Sequence, residues 1–292
     1  MPYIHVTNRI LKYKIVLYLI LSAISMTILM ESFVRLSYIS NIPYYNANNV
    51  IGYIPQPNQS GAFLWRNRWV FNDKSMGVAA PFKPVRNAIL LIGDSIVLGG
   101  NQLDQSQRIG VRLAAITGRT VWPISAGSWA LQNELTYLRQ HPEVVAGIDR
   151  IVILSNSEDF GPPSHWASPL THPLHRPRSM ALYALDRYIV KWTKPSTSPA
   201  WIVPVRDNRR DFAALLAHGK PVTVILYPTK AELQRDAPCD FAPDWYVPPR
   251  STGHCVSDIP GWGTAAYQDD IHPTAAGADR VAAFIAGVMR TR

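Results

Sequence analysis

The sequence predicts an α/β protein in which a parallel sheet is covered on both faces by helices, preceded by one transmembrane helix. Three observations carry this reading. From residue 88 onward, short apolar runs alternate with segments of helical periodicity. The run Ile15 to Met30, IVLYLILSAISMTILM, contains no charged residue. The chain has 292 residues, 47% of them hydrophobic and 17% charged, enough for one buried core plus accessory segments.

The N-terminal run comes first. Sixteen helical residues span about 24 Å, short of a bilayer core of about 30 Å, and continuing through Glu31 to Val34 closes the gap. Glu31 then sits near the interface and Arg35 snorkels outward. Arg9, Lys12 and Lys14 precede the run, which places residues 1–14 in the cytoplasm and everything after about residue 35 outside it. A cleaved signal peptide and a buried core helix are the alternatives. The apolar run continues past the small residues at Ala23 to Ser25, and basic residues flank an evenly apolar surface, so an uncleaved anchor over 15–34 is the expectation.

Residues 35–87 read as a stem that packs one or two short strands, near Trp65–Phe71, against the main domain. The run AILLIGD from Ala88 then has the texture of a strand buried on both faces. Residues 105–118 show helical periodicity and a Gly stop. A strand follows at 120–125, a helix at 131–140 and a strand at 150–155. Helices are expected at 179–193 and 209–219, a fourth strand at 221–228 and a closing helix at 274–290. No internal repeat is present. In such a sheet the ligand site gathers at the carboxyl ends of the strands.

The charge of +9 raises nucleic acid or anionic lipid as partners. Lys and Arg are scattered, however, and the cluster Arg206, Arg209, Arg210 is interrupted by Asp207 and Asp211, so no nucleic-acid partner is expected. Cys239 and Cys255 are the only cysteines and offer no zinc-ligand spacing. In an oxidising compartment they would close a short loop; two free thiols are the alternative.

Chemistry is expected where the first core strand ends, at Gly93-Asp94-Ser95-Ile96-Val97-Leu98-Gly99. A serine on a strand-to-helix turn is exposed at the sheet's rim, and its hydroxyl needs a neighbouring base to act as a nucleophile. Near the other end of the chain stands Asp269-Asp270-Ile271-His272-Pro273. An Asp three residues before a His can accept the Nδ1 proton, leaving Nε2 to deprotonate the serine. Alone, each motif is also an ordinary turn or a helix N-cap arrangement.

Together, in those positions, they resemble the SGNH (GDSL-like) family of esterases, lipases and acyltransferases over residues 88–292. The resemblance implies a flavodoxin-like three-layer αβα sandwich with Ser95, Asp269 and His272 as catalytic triad. It implies an oxyanion hole from Ser95, Gly127 (after the second strand) and Asn156 (after the third), and no cofactor or metal. The chain departs from the family at Leu154 and Ser157, where the third block has Gly and Asp, and at Ser125, where Asn is common.

The expected activity is extracytoplasmic hydrolysis of acyl or acetyl esters of envelope glycans or lipids. Transfer of the acyl group to a polysaccharide hydroxyl by the same triad is the alternative, and a non-catalytic glycan-binding or assembly module the second. Trp129, Trp166 and Trp262 are candidate platforms for a sugar or acyl chain, and the loop carrying His165, His172 and His175 reads as a substrate-facing lid rather than a metal site.

Overall fold

The computed structural model describes residues 3–246 and 253–290. The outermost ends of the expected N-terminal segment and catalytic domain (1–2 and 291–292), and residues 247–252 of the cysteine loop, lie outside them.

The chain is α/β, as its alternating pattern predicts. The helices are α1 (Tyr3–Ser37), α2 (Ser95–Leu98), α3 (Ile109–Thr117), α4 (Leu131–Gln140), α5 (Pro142–Ala146), α6 (Met180–Leu185), α7 (Asn208–Ala217) and α8 (Ala275–Arg290). The main sheet comprises β5 (Ile89–Gly93), β6 (Val121–Ser125), β7 (Arg150–Ser155), β8 (Val222–Leu226) and β9 (Gly253–Cys255). Its order is β6-β5-β7-β8-β9 and every pairing is parallel.

Strand alternation divides the core into two layers. Leu90 and Ile92 of β5, with Ile151 and Ile153 of β7, face a layer closed by α4 and α7 through Leu131, Leu135 and Phe212. Ile89, Leu91, Val152 and Leu154 point the other way, onto Ile109 and Leu113 of α3 and the Ala278, Val281, Ala282, Ile285 face of α8. Because both faces are covered, β5 is buried at all five positions, which is why it reads as a continuous apolar run.

The structure departs from the sequence reading in four places. Residues 35–87 form two hairpins instead of one or two strands: β1 (Tyr45–Asn48) with β2 (Gly52–Pro55), and β3 (Gln59–Phe63) with β4 (Asn67–Phe71). Tyr45, Ile51 and Tyr53 of the first hairpin belong to the α4 side of the core. The helix expected from residue 105 begins at Ile109, because Gln105–Gln107 forms a separate 3₁₀ turn capped by Asp104. The segment 179–193 is not one helix: α6 ends at Leu185 and gives way to a π turn over Asp186–Val190, closed by Lys191 in the left-handed conformation. The edge strand β9 leaves no signal in the sequence, since three residues carry too little periodicity to register.

α1 is apolar enough between Lys12 and Ser37 to cross a membrane, and none of that stretch's most apolar window is buried in the protein. Cys239 and Cys255 are joined by a disulfide that ties β9 to the segment following β8.

Candidate active site

The turn from β5 into α2 is built to present one serine. A Cβ on Gly93 would stand 2.6 Å from Val97 Cγ2 and 2.9 Å from Leu154 O, so only glycine allows the chain to turn that tightly beside β7. Asp94 caps α2, its carboxylate accepting the Ile96 N–H at 2.8 Å, and Gly99 closes the helix in the left-handed region. Ser95 is thereby fixed at the first position of a four-residue helix, at the carboxyl edge of the sheet.

The opposing loop is held as firmly. Tyr267 and Pro273 form an antiparallel bridge, and Gln268 N–H donates to His272 O at 2.9 Å, so Asp269 to His272 make a tight closed turn. Thr274 N–H donates to Ala266 O at 2.8 Å, and a Cβ on Gly277 would meet that same carbonyl at 2.3 Å, so α8 docks directly beneath the turn. Lys230 N–H donates to Asp270 O at 2.9 Å, fastening the turn to the segment after β8.

These two loops, 177 residues apart in sequence, bring His272 Nε2 to 2.9 Å from Ser95 Oγ. On the other side of the ring, Nδ1 lies 2.8 Å from Asp269 Oδ2 and 3.1 Å from Oδ1. Asp269 Oδ1 also accepts the backbone N–H groups of Ile271 at 3.0 Å and His272 at 2.8 Å. Partial burial pushes the Asp269 carboxyl up, but those N–H groups and the His272 ring outweigh it and hold it below the usual carboxylate range. An ionised Asp269 keeps the proton of the neutral ring on Nδ1, so Nε2 faces the serine as an acceptor.

Gly127 lies in the turn after β6. Tyr53 OH donates to its carbonyl at 2.7 Å, and a Cβ there would meet only His172 Nε2, at 3.8 Å. Asn156 follows β7 and is fully buried. Its Nδ2 donates to Asp94 Oδ2 at 2.9 Å, its Oδ1 accepts from Glu158 N–H at 2.7 Å, and its own N–H donates to Asp159 Oδ2 at 2.8 Å. Asn156 is therefore joined to the Ser95 turn through Asp94.

Sequence reasoning missed the acidic ground beneath this turn. Asp94, Glu134 and Asp159 are all buried and sense one another's charge. Burial pushes Asp94 up to about 6, while burial and neighbouring carboxylates raise Glu134 and Asp159 well above the usual range. Glu134 has neither carboxylate oxygen paired among the described residues, as fits a protonated acid. Its position in the amphipathic α4 gave no warning, because a lone Glu normally marks a helix's wet face.

The aromatic residues fall differently from expectation. Trp129 is no platform: it is buried in the core, its Nε1 donating to Tyr53 O at 2.7 Å. Trp166 packs on Trp201 with ring centroids 4.9 Å apart and donates to His172 O at 2.7 Å. Trp262 donates to Tyr267 OH at 3.1 Å, and the Arg280 guanidinium lies 5.3 Å from its ring centre. Of the three loop histidines, His165 takes a backbone N–H from Val203 at 3.4 Å, His175 is exposed, and His172 stacks on Tyr53 at 3.9 Å beside Gly127. Among the described residues, no three His, Cys, Asp or Glu side chains gather as a metal-holding group.

No protein-family profile matches the chain, and no curated protein matches it. Solved structures do. A member of the lipolytic protein G-D-S-L family from Veillonella parvula DSM 2008 is 12% identical with a TM-score of 0.40, the match covering 71% of this chain and 100% of that one. A carbohydrate esterase family 2 enzyme with a carbohydrate-binding domain, from Corynascus thermopiles (Myceliophthora fergusii), is 14% identical with a TM-score of 0.42, over 74% of this chain and 68% of that one. The catalytic domain of peptidoglycan O-acetyltransferase A from Streptococcus pneumoniae is 13% identical with a TM-score of 0.37, over 71% and 94%. At such scores the chemistry of this site stands on its own distances.

Proposed function

We propose that the protein is a serine esterase acting on acyl or acetyl esters of envelope glycans or lipids, held at a membrane by α1 with its catalytic domain outside the cytoplasm. The observation that carries this reading is the aligned series Ser95 Oγ, His272 Nε2, His272 Nδ1, Asp269 Oδ2, with contacts of 2.9 and 2.8 Å. His272 takes the hydroxyl proton as Ser95 Oγ adds to the ester carbonyl, and the carbonyl oxygen becomes an oxyanion. We assign the N–H groups of Ser95 and Gly127 to that oxyanion, with the buried Asn156 bracing the Ser95 turn through Asp94 instead of reaching the cleft; one such donor is worth about 3 kcal/mol in the transition state. His272 then protonates the leaving alcohol, and the acyl group remains on Ser95 until an acceptor removes it.

Water is the acceptor the geometry favours. The side chains of His272 and Asp269 keep 28% and 41% of their exposure, so solvent reaches the base directly. With Trp129 buried, one of the expected sugar platforms is also gone.

The test is labelling by a fluorophosphonate probe together with release of acetate from p-nitrophenyl acetate. Wild type should label and turn over, and Ser95→Ala should do neither. Acetate release that requires an added envelope oligosaccharide and yields an acetylated sugar would assign the triad to acyl transfer. A wild-type protein that neither labels nor turns over would leave the site as a binding module.

A further inference from the structure

The carboxylate of Glu31, near the end of the apolar helix, has specific partners. It accepts the Ser179 hydroxyl at 2.9 Å and the backbone N–H groups of Met180 and Ala181 at 3.0 and 2.9 Å, capping α6. Arg35, one turn later, pairs with the same carboxylate. Just past the end of α1, Tyr188 OH donates to Ile39 O at 3.1 Å. α6 and its π turn are thus pinned alongside the last turns of α1.

This pinned segment turns apolar side chains outward. Leu182 and Trp192 are 60% exposed and Ile189 73%, with Val190 beside them. They are held there by a built turn: Asp186 accepts the Thr193 N–H and hydroxyl at 3.1 and 2.5 Å and the Lys191 N–H at 2.8 Å. At the end of α1, the β3–β4 tip presents Leu64 and Trp65, and Trp65 Nε1 donates to Leu36 O at 2.6 Å. Around these groups, residues 176–194 carry five basic side chains against one acid, Asp186, whose carboxylate is already engaged.

We propose that α6, its π turn and the β3–β4 tip form a platform seated in the lipid–water interface of the leaflet from which α1 emerges. Exposed Leu, Ile and Val beside Trp and Lys form the composition of interfacial segments, in which apolar groups enter the headgroup zone and lysines meet anionic lipid. The occupant follows from continuity: the platform is hydrogen-bonded to a helix whose most apolar window is left uncovered among the described residues. The proposal rests on α1 crossing the membrane. Through Tyr183 OH, which donates to Leu170 O at 2.8 Å, the platform also anchors the loop that lays His172 against Gly127.

The experiment uses the full chain with Ile189→Cys labelled by an environment-sensitive fluorophore, in vesicles of three parts zwitterionic to one part anionic phosphatidylglycerol. The control is Ile116→Cys, exposed at the end of α3 where the chain enters the amino edge of the sheet. Emission from the Ile189 label should shift to the blue and lose most of its intensity to a headgroup-proximal doxyl lipid, while the Ile116 label stays water-like. Equal, water-like emission from both overturns the platform and favours a protein partner for this face. Carbonate extraction of the same vesicles reads α1 separately: protein retained with a water-exposed Ile189 label refutes the platform alone, and protein released refutes the anchor and the platform together.

Discussion

Asp269 does two jobs with one carboxylate, and a conservative change separates them. Its Oδ1 accepts the N–H groups of Ile271 and His272 that shape the loop, while Oδ2 faces His272 Nδ1. In Asp269→Asn the amide oxygen can keep the loop bonds, but the amide nitrogen donates to Nδ1 and forces the ring proton onto Nε2. Unfolding should change little, while kcat on p-nitrophenyl acetate should fall on the order of 10³- to 10⁴-fold. Glu134 offers a contrasting residue, buried and away from the reacting atoms. Its pKa is raised in the fold, so the folded chain keeps a proton that the unfolded chain releases above the ordinary carboxylate range, and stability is lost as pH rises. Glu134→Gln removes that cost. Denaturant titrations should find the variant more stable than wild type at pH 8 and little changed at pH 4; equal effects at both would mean that Glu134 is ionised in the fold.

The loop between β7 and α6 shows how an irregular element is specified. It carries His172 onto Tyr45 and Tyr53, with ring centroids 4.7 and 3.9 Å away, between the first hairpin and Gly127. Burial, with the charge of Arg187 adding to it, depresses the His172 pKa to about 4 against the bond to the Gly127 backbone. The folded ring is therefore neutral while the unfolded chain takes up a proton below about 6.5, so stability falls as pH drops from 6.5 to 4, by about 3 kcal/mol in all. Asp94, raised to about 6 by burial, works with the opposite sign in an overlapping window, its contribution falling as pH rises. Comparing wild type with His172→Gln isolates the histidine: thermal unfolding between pH 7.5 and 4 should show less acid destabilisation in the variant. Identical slopes would mean that His172 takes up its proton without opening the loop. No sequence signal announced this contact, because the aromatic partners come from residues 45 and 53, on a different element.

For the molecule as a whole, the proposed anchoring of α1 predicts which compartment the Ser95–His272 site faces. Arg9, Lys12 and Lys14 lie before the apolar stretch, and Arg35 after it is neutralised by Glu31. If these three basic residues hold the N-terminus in the cytoplasm, alkaline phosphatase fused after Arg292 should be active and Sec-exported green fluorescent protein fused there should be dark. The reverse pattern would place the Ser95–His272 site in the cytoplasm, where the Cys239–Cys255 bridge would be exposed to reduction.

What the sequence determined by itself was what local order can encode. Runs such as AILLIGD and RIVILS record strands buried on both faces, and an Asp three residues before a His on one tight loop records a paired base. Gly93 was legible as a turn, though its reason, the closeness of Val97 and Leu154, was not. Tertiary structure alone decided which distant groups meet. It closed the 2.9 Å contact between Ser95 and His272, buried Trp129 beneath Tyr53, set Asp94 against Asn156, and turned Glu31 from an awkward charge near an interface into the cap of α6. Periodicity reports whether a side chain faces the core or the solvent, but not what it finds there. That depends on elements packed from remote parts of the chain, as burial forces each remaining polar atom to find a partner or give up its charge.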